Sequence, residues 1–240
     1  NGVLIMGAAY QLAMFNRRSD FWTEARQIPD DVIKAEARKR GLGMWNTYFA
    51  LYGTDEIIAA IEPIVRGAFE ASGGRVLTEK EMGDNAWFKH HASLMKGGLT
   101  LEEIGIVRWR GSGGGMVAFA PVAAAKGDET KEQTALAKEI LAKYDFDYSP
   151  AYAVGGRELH HLIFLHFDKS DPIEEKKADD CLREMITRFG EKGWAAYRTG
   201  VSTMDLVAQQ YGEANNRLNA KIKQALDPNH ILAPGKQGIM

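Results

Sequence analysis

The chain has 240 residues, 45% hydrophobic and 26% charged, a balance that fits a globular protein of one large domain or one domain with an appendage. Its 30 basic and 32 acidic residues leave a net charge of −2, which implies no basic face and argues against a nucleic-acid partner. No apolar run reaches the roughly 18 residues needed to span a bilayer, and Cys181, the only cysteine, cannot form an intrachain disulfide.

Residues 3–15 are apolar, with small residues Gly7, Ala8, Ala9 and Ala13, and read as one buried or amphipathic helix. Pro29 opens a second helical run that Gly41 stops. Aromatic-rich residues 44–52 read as a strand. Thr54 stands where it can cap a helix whose stripe is Ile57, Ile58, Ile61, Ile64, Val65 and Phe69. A short strand is expected at 75–77, and another at 116–121 after Gly113-Gly114-Gly115. Residues 128–144 alternate Ala135, Leu136, Ile140 and Leu141 with Lys and Glu at helical spacing. Residues 147–154 and 157–167 read as strands joined by a tight turn at Gly155-Gly156. Asp171-Pro172 starts a further helix facing inward through Leu182, Met185, Ile186 and Phe189. More helix follows over 202–226, interrupted near Gly212, and the tail is irregular. The order predicts an α+β fold, an antiparallel sheet covered on one face by helices in a ferredoxin-like double unit, with a C-terminal helical and extended appendage.

Two motifs invite readings that their surroundings reject. Gly111-Ser112-Gly113-Gly114-Gly115 lacks the Lys-Ser/Thr ending of a phosphate loop and leads into a strand instead of a helix. His160-His161 lies on a strand, so its side chains point to opposite faces and cannot share one metal ion. His90-His91 reads as surface or structural, and no metal is assigned.

The most specific signal is the tail from Leu226 to Ile239, in which Asp227-Pro228 is followed by Ile231-Leu232 and Pro234-Gly235-Lys236. As bare residues this is a turn-rich segment of little freedom, suited to docking on its own domain or on another surface. The tail resembles the terminal motif of FAD-linked oxidases. Further stretches, Met44-Trp45-Asn46, Ala50-Leu51-Tyr52-Gly53, Arg157-Glu158-Leu159-His160-His161 and Gly193-Trp194-Ala195-Ala196-Tyr197-Arg198-Thr199, are similar to the vanillyl-alcohol oxidase and 4-cresol dehydrogenase family. The likeness runs over nearly the whole chain.

The resemblance implies an FAD-dependent oxidation of para-substituted phenols, with Tyr197 and Arg198 holding the substrate oxygen as phenolate and His160 facing the pocket. It places Arg198, Met116 and Lys236 at the flavin. Some relatives carry a histidine flavin anchor where Met116 stands, and others a tyrosine near Arg108 and Trp109, so non-covalent FAD is expected. The family binds FAD mainly through an N-terminal domain that nothing here matches. Residues 1–194 are therefore expected to form a substrate cap, and residues 195–240 to return to that domain. Taken as a fragment, which its start at Asn1 suggests, the chain is expected to be inactive alone. The resemblance also raises a cytochrome c subunit or oxygen as electron acceptor, and a homodimer. Two alternatives stand beside it: an FAD-linked oxidase of another substrate, such as a hydroxy acid, and a non-catalytic module without its flavin domain.

Overall fold

The computed structural model describes residues 3–236 and 239. Gln237 and Gly238 of the tail motif lie outside the described residues. In chain order the elements begin with β1 (Val3–Gly7), α1 (Ala8–Phe15), α2 (Asp30–Lys39), β2 (Trp45–Thr47), α3 (Asp55–Ala71), α4 (Glu79–Met82) and α5 (Ala86–Met95). A 3-10 segment, Glu102–Arg108, leads to β3 (Gly115–Phe119) and β4 (Val122–Ala124). Then come α6 (Gly127–Lys143), β5 (Ser149–Val154), β6 (Glu158–Phe167), α7 (Pro172–Gly190), α8 (Met204–Ala208) and α9 (Gly212–Leu226).

The strands form one antiparallel sheet in the order β2-β1-β5-β6-β3, with β4 also on β6. This is the expected α+β class. Its centre is the β5–β6 hairpin, closed by the Gly155 N–H donating to the Glu158 carbonyl at 2.8 Å. Along β6 the side chains alternate between faces. Leu159, His161, Ile163, Leu165 and Phe167 are all buried, and Ile163, Leu165 and Phe167 share a core with Ile140 and Leu141 of α6 and Leu182, Met185 and Phe189 of α7. Asp171 caps α7 by accepting from Ile173 N and Glu174 N, and Pro172 supplies a helix-ready φ at its first turn.

The opposite face carries a second core. α1, with Met6, Ile33, Trp87, Ile106 and Trp109, packs over Ala151 and against Leu162 and Phe164. Helices therefore cover part of both faces, where the sequence reading placed them on one. A buried carboxylate, Asp147, ties this second layer together: Arg18 Nε and Trp109 Nε1 each donate to Oδ2 at 2.9 Å, and Ile28 N donates to Oδ1 at 2.9 Å.

Several local expectations are corrected. Residues 3–15 are a strand followed by a helix, because residues 3–6 pair with β5 and residues 5–7 with β2; long-range pairing overrides an apolar run whose period is ambiguous. Gly7 makes the junction feasible, since a Cβ there would meet Pro150 Cγ at 2.8 Å. The strand at 44–52 shrinks to β2; Tyr48 stacks on His91 at 3.9 Å and Phe49 on Phe69 at 5.5 Å. Residues 75–77 form no strand. In α6 the buried positions are Gln133, Leu136, Ala137, Ile140 and Leu141, while Ala135 is exposed. Thr54 occupies the N-cap of α3 without a side-chain cap bond, and no residue of α3 is buried. His90 and His91 are buried in α5 and are not surface residues.

Candidate functional site

The edge of the sheet at β3 and β4 positions the site. Ala120 and Pro121 interrupt the edge strand, which suits a proline because an edge residue need not donate to the ladder. The Pro121 carbonyl accepts from His161 N at 3.0 Å. Residues 195–197 then add to this edge: Val122 N donates to the Ala195 carbonyl at 3.0 Å, Tyr197 N donates to the Ala120 carbonyl at 3.3 Å, and Pro121 bridges Ala196. Gly193, at φ 81°, turns the chain after α7. Trp194 and Ala196 enter the core, Trp194 5.8 Å from the Phe189 ring. With those two inward, Tyr197 and Arg198 face out.

Val122, His160 and Ala153 pair in one row across β4, β6 and β5, and Leu4 of β1 continues it. Directly paired antiparallel residues share a face, so this row lies at the end of the sheet that α1 leaves open. His160 is half-buried there, and its ring lies 4.7 Å from that of Tyr197 at 46°. The Arg198 guanidinium stands 5.2 Å from the Tyr197 ring centroid, within cation–π range. Among the described residues the Tyr197 hydroxyl and the Arg198 guanidinium have no hydrogen-bond or ion-pair partner. The fold thus presents a phenol hydroxyl, a permanent cation and an imidazole together on an uncovered surface.

His161 has the opposite environment. It is wholly buried, its Nε2 is 2.9 Å from the Tyr148 hydroxyl, and burial pushes its pKa down to about 3, so it is neutral at pH 7. The opposite-face expectation for the pair holds, with His160 on the open side.

The other expected site residues are more distant. Met116 is half-buried on β3 opposite His166, on the same face as His160 but six residues along β6, or about 20 Å at the rise of a strand. Lys236 is exposed in the tail, and among the described residues no hydrogen bond or ion pair joins it to the Tyr197 group. That tail is anchored through Asp227, which accepts from Ile231 N at 2.8 Å, Leu232 N at 2.9 Å and Lys223 Nζ at 2.5 Å. A cavity of about 350 Å³ opens elsewhere, beside Trp45, Ile33, Lys138 and Tyr148, and none of Tyr197, Arg198 or His160 lines it.

One constellation escaped the sequence reading. His90 and His91 come within reach of Glu103 from the 3-10 segment. The only sequence signal was a histidine pair and a glutamate pair on separate segments, with nothing in their spacing to link them.

The chain was compared with known proteins. The flavoprotein subunit of 4-cresol dehydrogenase [hydroxylating] from Pseudomonas putida is 42% identical over 241 aligned residues, covering 100% of this chain and 46% of that protein. The crystal structure of p-cresol methylhydroxylase with substrate bound superposes with a TM-score of 0.94 at 42% identity, covering 100% of this chain and 47% of the other. The isoeugenol complex of 4-ethylphenol oxidase from Gulosibacter chungangensis gives 0.92 at 28% identity, covering 99% and 47%. The chain therefore spans about half the length of these relatives. The family described as FAD linked oxidases, C-terminal domain, matches residues 47–237. With the tail motif and the Tyr197-Arg198 edge in the same fold, this chain belongs to the C-terminal domain family of the FAD linked oxidases.

Proposed function

We propose that the chain is the substrate-binding portion of an FAD-dependent oxidoreductase acting on para-substituted phenols of the 4-cresol, 4-alkylphenol or vanillyl-alcohol type. The observation that carries this reading is the pair Tyr197-Arg198, exposed and unpartnered beside His160 on the open end of the sheet. Relatives named for 4-cresol and 4-ethylphenol support the same substrate class.

A guanidinium suits a dry site because its charge is delocalised over a planar fork of donors, and Arg198 presents one here. With the Tyr197 hydroxyl as donor, it holds the substrate oxygen as phenolate. Fixed groups of this kind stabilise charge without reorganising as it moves. The phenolate charge enters the ring and weakens a C–H bond on the para substituent. That hydrogen leaves with its electron pair, and the substrate becomes a neutral quinone methide. FAD, when bound, supplies the two-electron acceptor. His160 lines the pocket beside Tyr197 and limits how the phenol lies.

The residues present fit a flavin on this face. Arg198 is a cation without a counter-ion there, suited to steadying negative charge on a ring edge. Met116 and Lys236 are its further contacts in this reading. The flavin is held without a covalent bond: the Met116 thioether has no proton to lose and would leave a charged sulfonium, Arg108 is no histidine or tyrosine, and the buried Trp109 indole already donates to Asp147. Residues 1–194 form the cap, and residues 195–240 return to an N-terminal FAD-binding domain. Exposed Leu218, Ile222, Leu226, Ile231 and Leu232 on α9 and the tail are suited to that contact. The exposed Ile57, Ile61 and Ile64 of α3 suit a homodimer contact. A relative described as a flavoprotein subunit supports a second, electron-accepting subunit such as a cytochrome c.

The test uses the full-length gene product. Anaerobic mixing with 4-alkylphenols is expected to bleach the flavin, and acid precipitation is expected to release it into the supernatant. A flavoprotein that dithionite reduces but no para-substituted phenol does would refute the substrate class. Flavin remaining with the pellet would refute only the non-covalent attachment.

A further inference from the structure

We propose that His90, His91 and Glu103 form a binding site for a borderline divalent metal ion of the zinc type, clamping α5 to the 3-10 segment Glu102–Arg108. One ring nitrogen from each histidine and a carboxylate oxygen of Glu103 all lie within 4.8 Å of one another. The fold brings them together from distant parts of the chain. Asn85 caps α5 by accepting from Phe88 N at 3.1 Å. Trp87 Nε1 donates to the Gln11 carbonyl at 2.6 Å, which sets the helix against α1. The Tyr48 ring stacks on His91 at 3.9 Å and fixes its plane.

The second, independent observation is the state of His90. Its side chain is 0% exposed. Nδ1 lies 2.8 Å from Glu102 Oε2, while Nε2 is buried with no hydrogen-bond partner among the described residues. A carboxylate that accepts the Nδ1 proton leaves the lone pair on Nε2, which is how metal-bound histidines are oriented in proteins. A buried lone pair with no donor needs an electrophile or a trapped water, and a cation supplies the first. His91 Nε2 lies 3.3 Å from the Gln11 amide; coordination through Nδ1 puts the ring proton on Nε2 and turns the Gln11 amide oxygen toward it to accept, with the Tyr48 hydroxyl then accepting from the amide nitrogen.

Two imidazoles and one carboxylate select zinc, cobalt or nickel over calcium and magnesium, which favour all-oxygen sets. Bonds of roughly 2.0–2.1 Å to a tetrahedral ion bring ligand atoms to about 3.4 Å of one another. The closure from 4.8 Å falls mainly to Glu103, whose side chain accepts a long 3.4 Å hydrogen bond from the Tyr10 hydroxyl. Glu102, with its side chain 52% exposed, gives the ion a route from solvent. Three protein ligands leave one position for water.

The test takes tag-free full-length protein stripped with a chelator and titrated with Zn²⁺ by calorimetry and with Co²⁺ by visible absorption. The expected result is one equivalent bound, the intense visible bands of tetrahedral Co²⁺, and a Zn²⁺-dependent rise in melting temperature. Glu103→Gln is half-buried and keeps the fold; it should weaken Zn²⁺ binding at least 10-fold and abolish the melting shift. Glu102→Gln should weaken it roughly 10- to 100-fold through loss of His90 orientation. A folded wild-type protein that binds no stoichiometric Zn²⁺ overturns the proposal. So does binding of equal strength in Glu103→Gln, which would place the ion elsewhere.

Discussion

The imidazole of His160 and the phenol ring of Tyr197 meet at 4.7 Å because residues 195–197 add to the sheet edge next to β6. The contact is made ring to ring, and the Tyr197 hydroxyl takes no part in it. Tyr197→Phe should therefore leave the melting temperature within about 1 °C, since no protein hydrogen bond is lost. In the full-length enzyme it should lower kcat on 4-alkylphenols by roughly 10²-fold, the usual cost of removing one donor to a developing or fixed oxyanion. Steady-state kinetics with a thermal melt checks both halves. An unchanged kcat would remove Tyr197 from the site.

Arg198→Lys tests the other member. Lysine keeps the charge but loses the planar fork and the stacking on the tyrosine ring. The expected outcome is weaker capture of the phenolate, with its pH dependence shifted: the wild type should bind a given phenol at a lower pH than the variant, because a well-placed cation favours the ionised ligand. Difference absorbance of the bound phenolate measured across pH reads this directly. Superimposable titrations would separate Arg198 from phenolate binding.

How much of this was written in the sequence varies by element. α6, α7 and the β5–β6 hairpin were legible, because each has a local period and a local stop: Pro172 at a helix start, glycines at a hairpin, paired apolar positions along a helix. β1 was not, since Val3 to Gly7 is apolar without alternation and acquires strand geometry only from partners at 45–47 and 151–154. Tyr197 and Arg198 were singled out by resemblance; their outward direction follows from Trp194 and Ala196 turning inward, which no spacing rule states. Asp147 went unread for a related reason. A lone aspartate before a strand looks like a turn residue until Arg18 and Trp109 arrive from elsewhere in the chain.

That carboxylate supports a stability prediction. Asp147→Ala should cost about 3–5 kcal/mol, since it leaves the buried Arg18 without its partner and strands the Trp109 and Ile28 donors as well. Asp147→Leu with Arg18→Met, which removes both charges, should cost less than the single change, because the penalty lies in the uncompensated cation. Urea unfolding of the wild type and the two variants orders them. Equal losses in the single and the double variant would mean that the carboxylate acts through packing.

Acid should expose the buried histidines. His161 and His166 are pushed by burial from an ordinary value near 6.5 to about 3 and about 4. Their folded pKa values lie below the unfolded ones, so between about pH 4 and 6.5 the unfolded chain binds protons that the folded chain refuses. Stability is then insensitive to these groups above about pH 6.5 and falls as the pH drops below it, by about 1.4 kcal/mol per pH unit for each histidine once the unfolded side chain is fully protonated. His161→Gln retains a group able to accept from the Tyr148 hydroxyl but has no proton to take up. Its urea-derived stability should start lower at pH 7 and decline less steeply toward pH 5, with the slope reduced by one proton. Parallel curves for variant and wild type would show that His161 takes up its proton in the folded protein as readily as in the unfolded chain, against its 0% exposure and its place between Tyr148 and Tyr152.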